Sequence, residues 1–166
     1  MRRRIVLMLL MILSLVGCRK KDIQSDISES LGIDVRKGTV LMDSDSHGGF
    51  HGDGMLFQQI SFEDSKLSDE IKDNDGWKPM PLSQNMEALV YGIEVDTSSI
   101  GPYLTDESGN TIIPDIQNGY YYFYDRHSES KDPYSDKDIL NRASFNFTLA
   151  LYDSDNHVLY YVEFDT

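Results

Sequence analysis

The residues best placed to do chemistry stand together in Asp43-Ser44-Asp45-Ser46-His47-Gly48-Gly49-Phe50-His51-Gly52-Asp53-Gly54. This stretch holds four of the chain's twelve glycines and two of its four histidines, with three aspartates around them. Three chemistries suit these residue types. The first is a divalent metal held by His47 and His51 with Asp45 or Asp53, since two imidazoles and a carboxylate make an ordinary zinc set. The second is an anion nest, in which successive glycine N–H groups turn inward. The third is a wide turn whose polar side chains hydrogen-bond their own backbone, with Phe50 plugging the core. Each meets an obstacle or a rival. The i, i+4 spacing of His47 and His51 would align both on a helix, but Gly48, Gly49, Gly52 and Gly54 oppose a helix there. Three aspartates repel an anion. The Asp43-x-Asp45-x-His47-Gly48 opening imitates a calcium loop, yet position twelve is Gly54 where that loop needs a bidentate glutamate.

A second polar cluster, Asp125-Arg126-His127, closes a tyrosine-rich run. An Arg–Asp pair or a histidine general base can be written there, beside the plainer reading of a solvated strand end. The sequence contains neither a Gly-x-Ser-x-Gly elbow nor a Walker loop.

The elements that must position these residues follow from periodicity. Ile23, Ile27 and Leu31 form one stripe of a short helix, stopped by Gly32. Lys37 to Met42 and Met55 to Phe62 read as strands on either side of the glycine-rich loop. Asp64 to Asn74 reads as a helix, 77–81 as a connector broken by its prolines, and Ser83 to Tyr91 as a helix capped by Ser83. Ile100 to Thr105 and Asn110 to Ile113 suggest a small hairpin turning at Gly109. Gly119 to Asp125 is a strand, followed by a polar loop through Lys137. Phe145 to Tyr152 and Val158 to Phe164 alternate across Asp153 to His157, the clearest antiparallel hairpin in the chain. The expected fold is α+β: a mostly antiparallel β-sheet with two or three short helices on one face.

The N-terminus has its own logic. Arg2, Arg3 and Arg4 precede an apolar run from Ile5 to Val16, with polar Arg19-Lys20-Lys21-Asp22 just beyond. That run falls well short of the roughly 20 residues of a membrane span and has the layout of a secretory signal. Leu15-Val16-Gly17-Cys18 resembles the lipobox of bacterial lipoproteins at each position. The resemblance covers the first 18 residues. It implies removal of residues 1–17 as a signal peptide and a diacylglyceryl group on the Cys18 sulfur. Residues 18–22 then form a lipidated tether, and 23–166 form one domain. Two acyl chains anchor stably where one is marginal, because each buried CH₂ contributes about 0.8 kcal/mol. The expected place is exported and lipid-anchored, in the cell membrane or outer membrane, facing away from the cytoplasm. Arg19 rather than aspartate after the cysteine resembles outer-membrane sorting, should the cell have two membranes. Cys18 is the only cysteine, so no disulfide is available, and once lipidated it leaves no thiol nucleophile.

The body resembles a group of uncharacterised small bacterial proteins through His47 to Gly54 and Tyr120 to His127. That resemblance brings no activity and no site residues. The formal charge of −13 becomes three units more negative without the leader. A domain so acidic repels nucleic acid and attracts cations or basic partners. Tyrosine-rich strands suit a protein interface. The sequence therefore points to a membrane-tethered, non-catalytic binding or accessory protein with a protein partner and no cofactor. The alternative is a small metal-dependent hydrolase using zinc or another divalent cation at His47–Gly54.

Overall fold

In a computed structural model the described residues are 22–48 and 52–166. The leader, the lipobox with Cys18, the tether up to Lys21, and Phe50 and His51 of the glycine-rich loop lie outside them.

Helix α1 (Ile23–Leu31) comes first and buries Ile27 and Leu31, the stripe expected from their spacing. Gly32 ends it with φ 66°, and its N–H reaches Ser28 O. Strands β1 (Thr39–Asp45) and β2 (Gly54–Ser61) pair antiparallel around the glycine-rich loop. Helix α2 (Lys66–Lys72), the short strand β3 (Trp77–Pro79) and helix α3 (Gln84–Val90) follow. The Ser83 side chain caps α3 by accepting from Met86 N. A two-stranded hairpin, β4 (Ile93–Val95) with β5 (Ser98–Ile100), leads by way of a long connection to β6 (Gly119–Asp125). A 3₁₀ turn at Ile139–Asn141 precedes β7 (Asn146–Asp153) and β8 (Val158–Asp165).

The main sheet has the order β1-β2-β8-β7-β6-β3, antiparallel throughout. The fold is α+β. Its central strands are covered on both sides. Phe147, Leu149 and Leu151 of β7, with Val158, Tyr160 and Val162 of β8, face α3. Ala150, Tyr152, Leu159 and Tyr161 face α1 and α2. Two helices thus share one face, and the third closes the other. A strand buried on both faces loses polar alternation, and Phe147-Thr148-Leu149-Ala150-Leu151-Tyr152 shows that loss. Each fully buried large apolar side chain contributes roughly 1.5–3 kcal/mol, so this hairpin is the anchor of the core.

Two expectations are corrected. The hairpin over 100–113 is reduced to one bridge, Thr105 with Thr111, because Ile113 and Leu104 turn into the core. Its turn is where expected, with Gly109 at φ 83°, and a further hairpin before it, β4–β5, turns on Asp96 with φ 51°. Residues 77–81 are not merely a connector. Trp77–Pro79 add an edge strand to β6, which Pro79 then terminates.

Candidate functional site

Register brings five strand ends to one end of the sheet. Gly54 faces Asp165 between β2 and β8, and Asn146 faces Asp165 between β7 and β8. Asp45 closes β1, and Arg126 follows β6 directly. This geometry joins the glycine-rich loop to the Asp125-Arg126-His127 cluster through a residue that neither contains, Asp165.

Asp165 collects three donors. Its Oδ2 takes Arg126 Nη2 at 3.0 Å and His47 Nε2 at 3.1 Å, and its Oδ1 takes Asn146 Nδ2 at 2.9 Å. Arg126 Nη2 also donates to Phe147 O at 3.0 Å. The other ring nitrogen of His47, Nδ1, lies 2.7 Å from Asp45 Oδ1, which also accepts the His47 backbone N–H at 2.9 Å. That backbone N–H first, and the imidazole second, hold the Asp45 carboxyl below its ordinary range. With a carboxylate at each nitrogen, the imidazolium is the form of His47 that donates to both. A metal ion at His47 has to displace one of these carboxylates from its hydrogen bond.

Local sequence explains how His47 is held. Ser46 N–H reaches Met55 O at 3.0 Å, Met55 N–H reaches Ser46 Oγ at 2.9 Å, and Gly48 N–H reaches Asp53 O at 3.4 Å. These bonds close the neck of the loop. Gly54 is required by close approach, since a Cβ there would stand 2.5 Å from the backbone N and Cα of His47.

The three residues of the second cluster take different partners. Buried Asp125 pairs with Arg142 Nη1 at 2.9 Å and accepts His127 N–H at 3.1 Å. Arg126 goes to Asp165. His127 Nδ1 accepts Glu129 N–H at 3.2 Å, and its Nε2 lies 3.3 Å from Ser144 Oγ. The cluster is therefore a junction of three contacts rather than one constellation.

Of the metal candidates, Asp45 and His47 are in contact, and Asp53 stands at the loop's neck through its carbonyl. His51 lies outside the described residues. Among the described residues no group of three or more His, Cys, Asp or Glu side chains is arranged to hold a metal ion. Asp165, Asn146 and Arg142 carry the site yet escape sequence reasoning. Asp165 stands one residue past the last apolar position of β8, and only the non-local pairing of β2 with β8 reveals it.

Residues 41–47 and 151–157 share Leu, Asp, Ser, Asp and His at matching positions, but the matching aspartates Asp43 and Asp153 act differently. Asp153 Oδ1 accepts the N–H groups of Asp155 and Asn156, whereas Asp43 accepts Gln58 Nε2 from the neighbouring strand. Comparison with protein-family models, with curated proteins and with solved structures found no match to this chain.

Proposed function

We propose that the chain is a membrane-tethered, extracytoplasmic lipoprotein that works by binding a protein partner. The tether reading rests on the apolar run ending in Leu15-Val16-Gly17-Cys18. The binding reading is carried by one observation, the state of the two edges of the main sheet.

The β3 edge is three residues long and ends in proline, which removes a donor. The β1 edge is seven residues long and exposed along its whole length. Val40, Leu41 and Met42 are 40%, 55% and 54% exposed, and a register shift lies between Val40 and Met42. A long edge strand offers backbone donors and acceptors to an extended segment of another chain, and its apolar side chains supply contact area. The expected partner segment is an extended strand.

A photo-cross-linking residue at position 41 or at position 79, in cells making the full chain, tests this. Position 41 is expected to give one discrete protein adduct in the membrane fraction, and position 79 none. Cys18→Ala is expected to abolish acyl labelling and release the chain from the membrane. Equal adducts from both edges overturn the strand-edge reading. Undiminished acylation of Cys18→Ala overturns the anchor.

A further inference from the structure

A cleft lies at the opposite edge of the sheet from β1 and is independent of the strand-edge reading. Its volume is about 540 Å³. One wall is the C-terminal turn of α1 with Glu29 and Gly32; another is the turn carrying Asn74 and Asp75; the third is Tyr122 and Tyr134.

Three features of this cleft favour the same kind of guest. Its charged lining residues, Glu29 and Asp75, are both acidic. The C-terminal end of α1, marked by Gly32, adds the negative end of the helix dipole, although its Ser30, Leu31 and Gly32 carbonyls already accept from Tyr122, Trp77 and Asn74. The rings of Tyr122 and Tyr134 meet at 87° with centroids 6.1 Å apart; Tyr122 is buried, so the open aromatic surface is that of Tyr134. Tyr134 is 45% exposed, and Tyr124 braces it from 5.3 Å. Aromatic faces attract organic cations, and carboxylates add to that attraction. The neighbouring surface already shows this pairing: Lys78 lies 5.8 Å from the Tyr121 ring centroid while donating to Tyr134 O. The strongly negative chain draws cations towards its surface.

We infer that this cleft binds an organic cation, a guanidinium or alkylammonium group seated against Tyr134 and Asp75. The volume admits an arginine or lysine side chain or a free amine of that size. A simple metal ion would use only oxygen atoms such as the Glu29 and Asp75 carboxylates, whereas an organic cation also uses the exposed ring of Tyr134.

Trp77 is the chain's one tryptophan and its ring lies 5.7 Å from Tyr122, so its fluorescence reports on the cleft. The test titrates the full chain, in non-ionic detergent at low salt, with N-acetyl-arginine amide. N-acetyl-citrulline amide serves as the neutral isostere. A saturable change with the arginine probe alone is expected, weakening as salt rises. Asp75→Asn and Tyr134→Leu, both at exposed positions, are each expected to weaken binding by roughly threefold to fivefold. Circular dichroism establishes that the variants are folded. A glycine-serine peptide bearing one arginine distinguishes the sources of the group. Tenfold tighter binding of the peptide assigns the guest to a partner's side chain; equal binding assigns it to a free small cation. The inference is overturned if citrulline matches arginine, if neither probe gives a saturable change, or if both folded variants bind as the parent does.

Discussion

His47 and Asp165 stand 118 positions apart in the chain and meet at 3.1 Å across one end of the sheet. Arg126 and Asn146 reach the same carboxylate, so one side chain ties together the ends of β1, β6, β7 and β8. Removing it leaves three donors without that acceptor. Asp165→Ala is expected to cost on the order of 1–3 kcal/mol in urea unfolding, with Asp165→Asn falling between it and the parent. A double cycle with His47→Ala measures the coupling of the pair; zero coupling refutes the role assigned to this contact.

The glycine at position 54 admits the backbone of His47, and the glycine at 119 admits Tyr152 O, where a Cβ would stand 1.9 Å away. The first close approach is to a loop and the second to the buried strand β7. Gly119→Ala is therefore expected to be the more severe, by about 3 kcal/mol or more or by failure to fold. Gly54→Ala is expected to cost about 1–3 kcal/mol, chiefly through displacement of His47. Chemical denaturation of the two variants side by side tests the order, and the reverse order contradicts it.

Leu41 sits at the register shift of β1 and is exposed, so its apolar character serves no core that the structure contains. Leu41→Lys is expected to leave folding stability within about 0.5 kcal/mol of the parent. With the photo-cross-linking residue placed at exposed position 40 instead, Leu41→Lys is expected to lose the adduct from the β1 edge, since a charge blunts an edge strand. A large loss of stability would mean that Leu41 packs within the fold and is not offered to a partner.

The pairing of local elements was readable because it rests on local chemistry. Alternation marked β7 and β8, Ser83 marked the start of α3, and Gly32 marked the end of α1. The α+β class followed from these. Long-range register is different in kind. Asp165 pairs with Gly54 and Asn146 because β8 lies between β2 and β7, and no spacing within either segment encodes that order. The turn at Gly109 was readable from its glycine, whereas the β4–β5 turn was missed because Asp96 holds the positive φ there and no glycine marks it. The tyrosines of β6 pointed to an interface. In the structure they are shared out instead: Tyr121 is buried with α3, and Tyr122 faces α1 and lines the cleft.

Acid should expose one ion pair selectively. The guanidinium of Arg36 beside Asp34, 2.8 Å away, lowers that carboxyl to about 2, against the smaller opposing effect of burial. A depressed carboxyl stabilises the fold above its unfolded value near 3.8 and loses that contribution as pH falls through about 2. The advantage of the parent over Asp34→Asn is expected to be constant from pH 7 to about 5 and to fade between about 4 and 2. Because the pair is substantially exposed, salt should shrink it. Urea midpoints of both proteins across that range test the sign. An advantage that grows as pH falls overturns the assignment.

Divalent metals separate the two readings of the glycine-rich loop. His47 gives both ring nitrogens to Asp45 and Asp165, so a metal that binds there must compete with two carboxylates for the imidazole. A metal at 100 times its Kd would stabilise the folded chain by about 2.7 kcal/mol, roughly 5–10 °C in Tm for a domain of this size. Under the binding reading, thermal unfolding in EDTA matches that in Zn²⁺, Mn²⁺ or Ca²⁺. A rise of that order, abolished by His47→Ala together with His51→Ala, would instead mark a metal centre and direct the search to hydrolysable substrates. The double variant also controls for adventitious metal at the acidic surface. A rise that survives loss of both imidazoles belongs to the surface carboxylates and leaves His47 as the strut between β1 and β8.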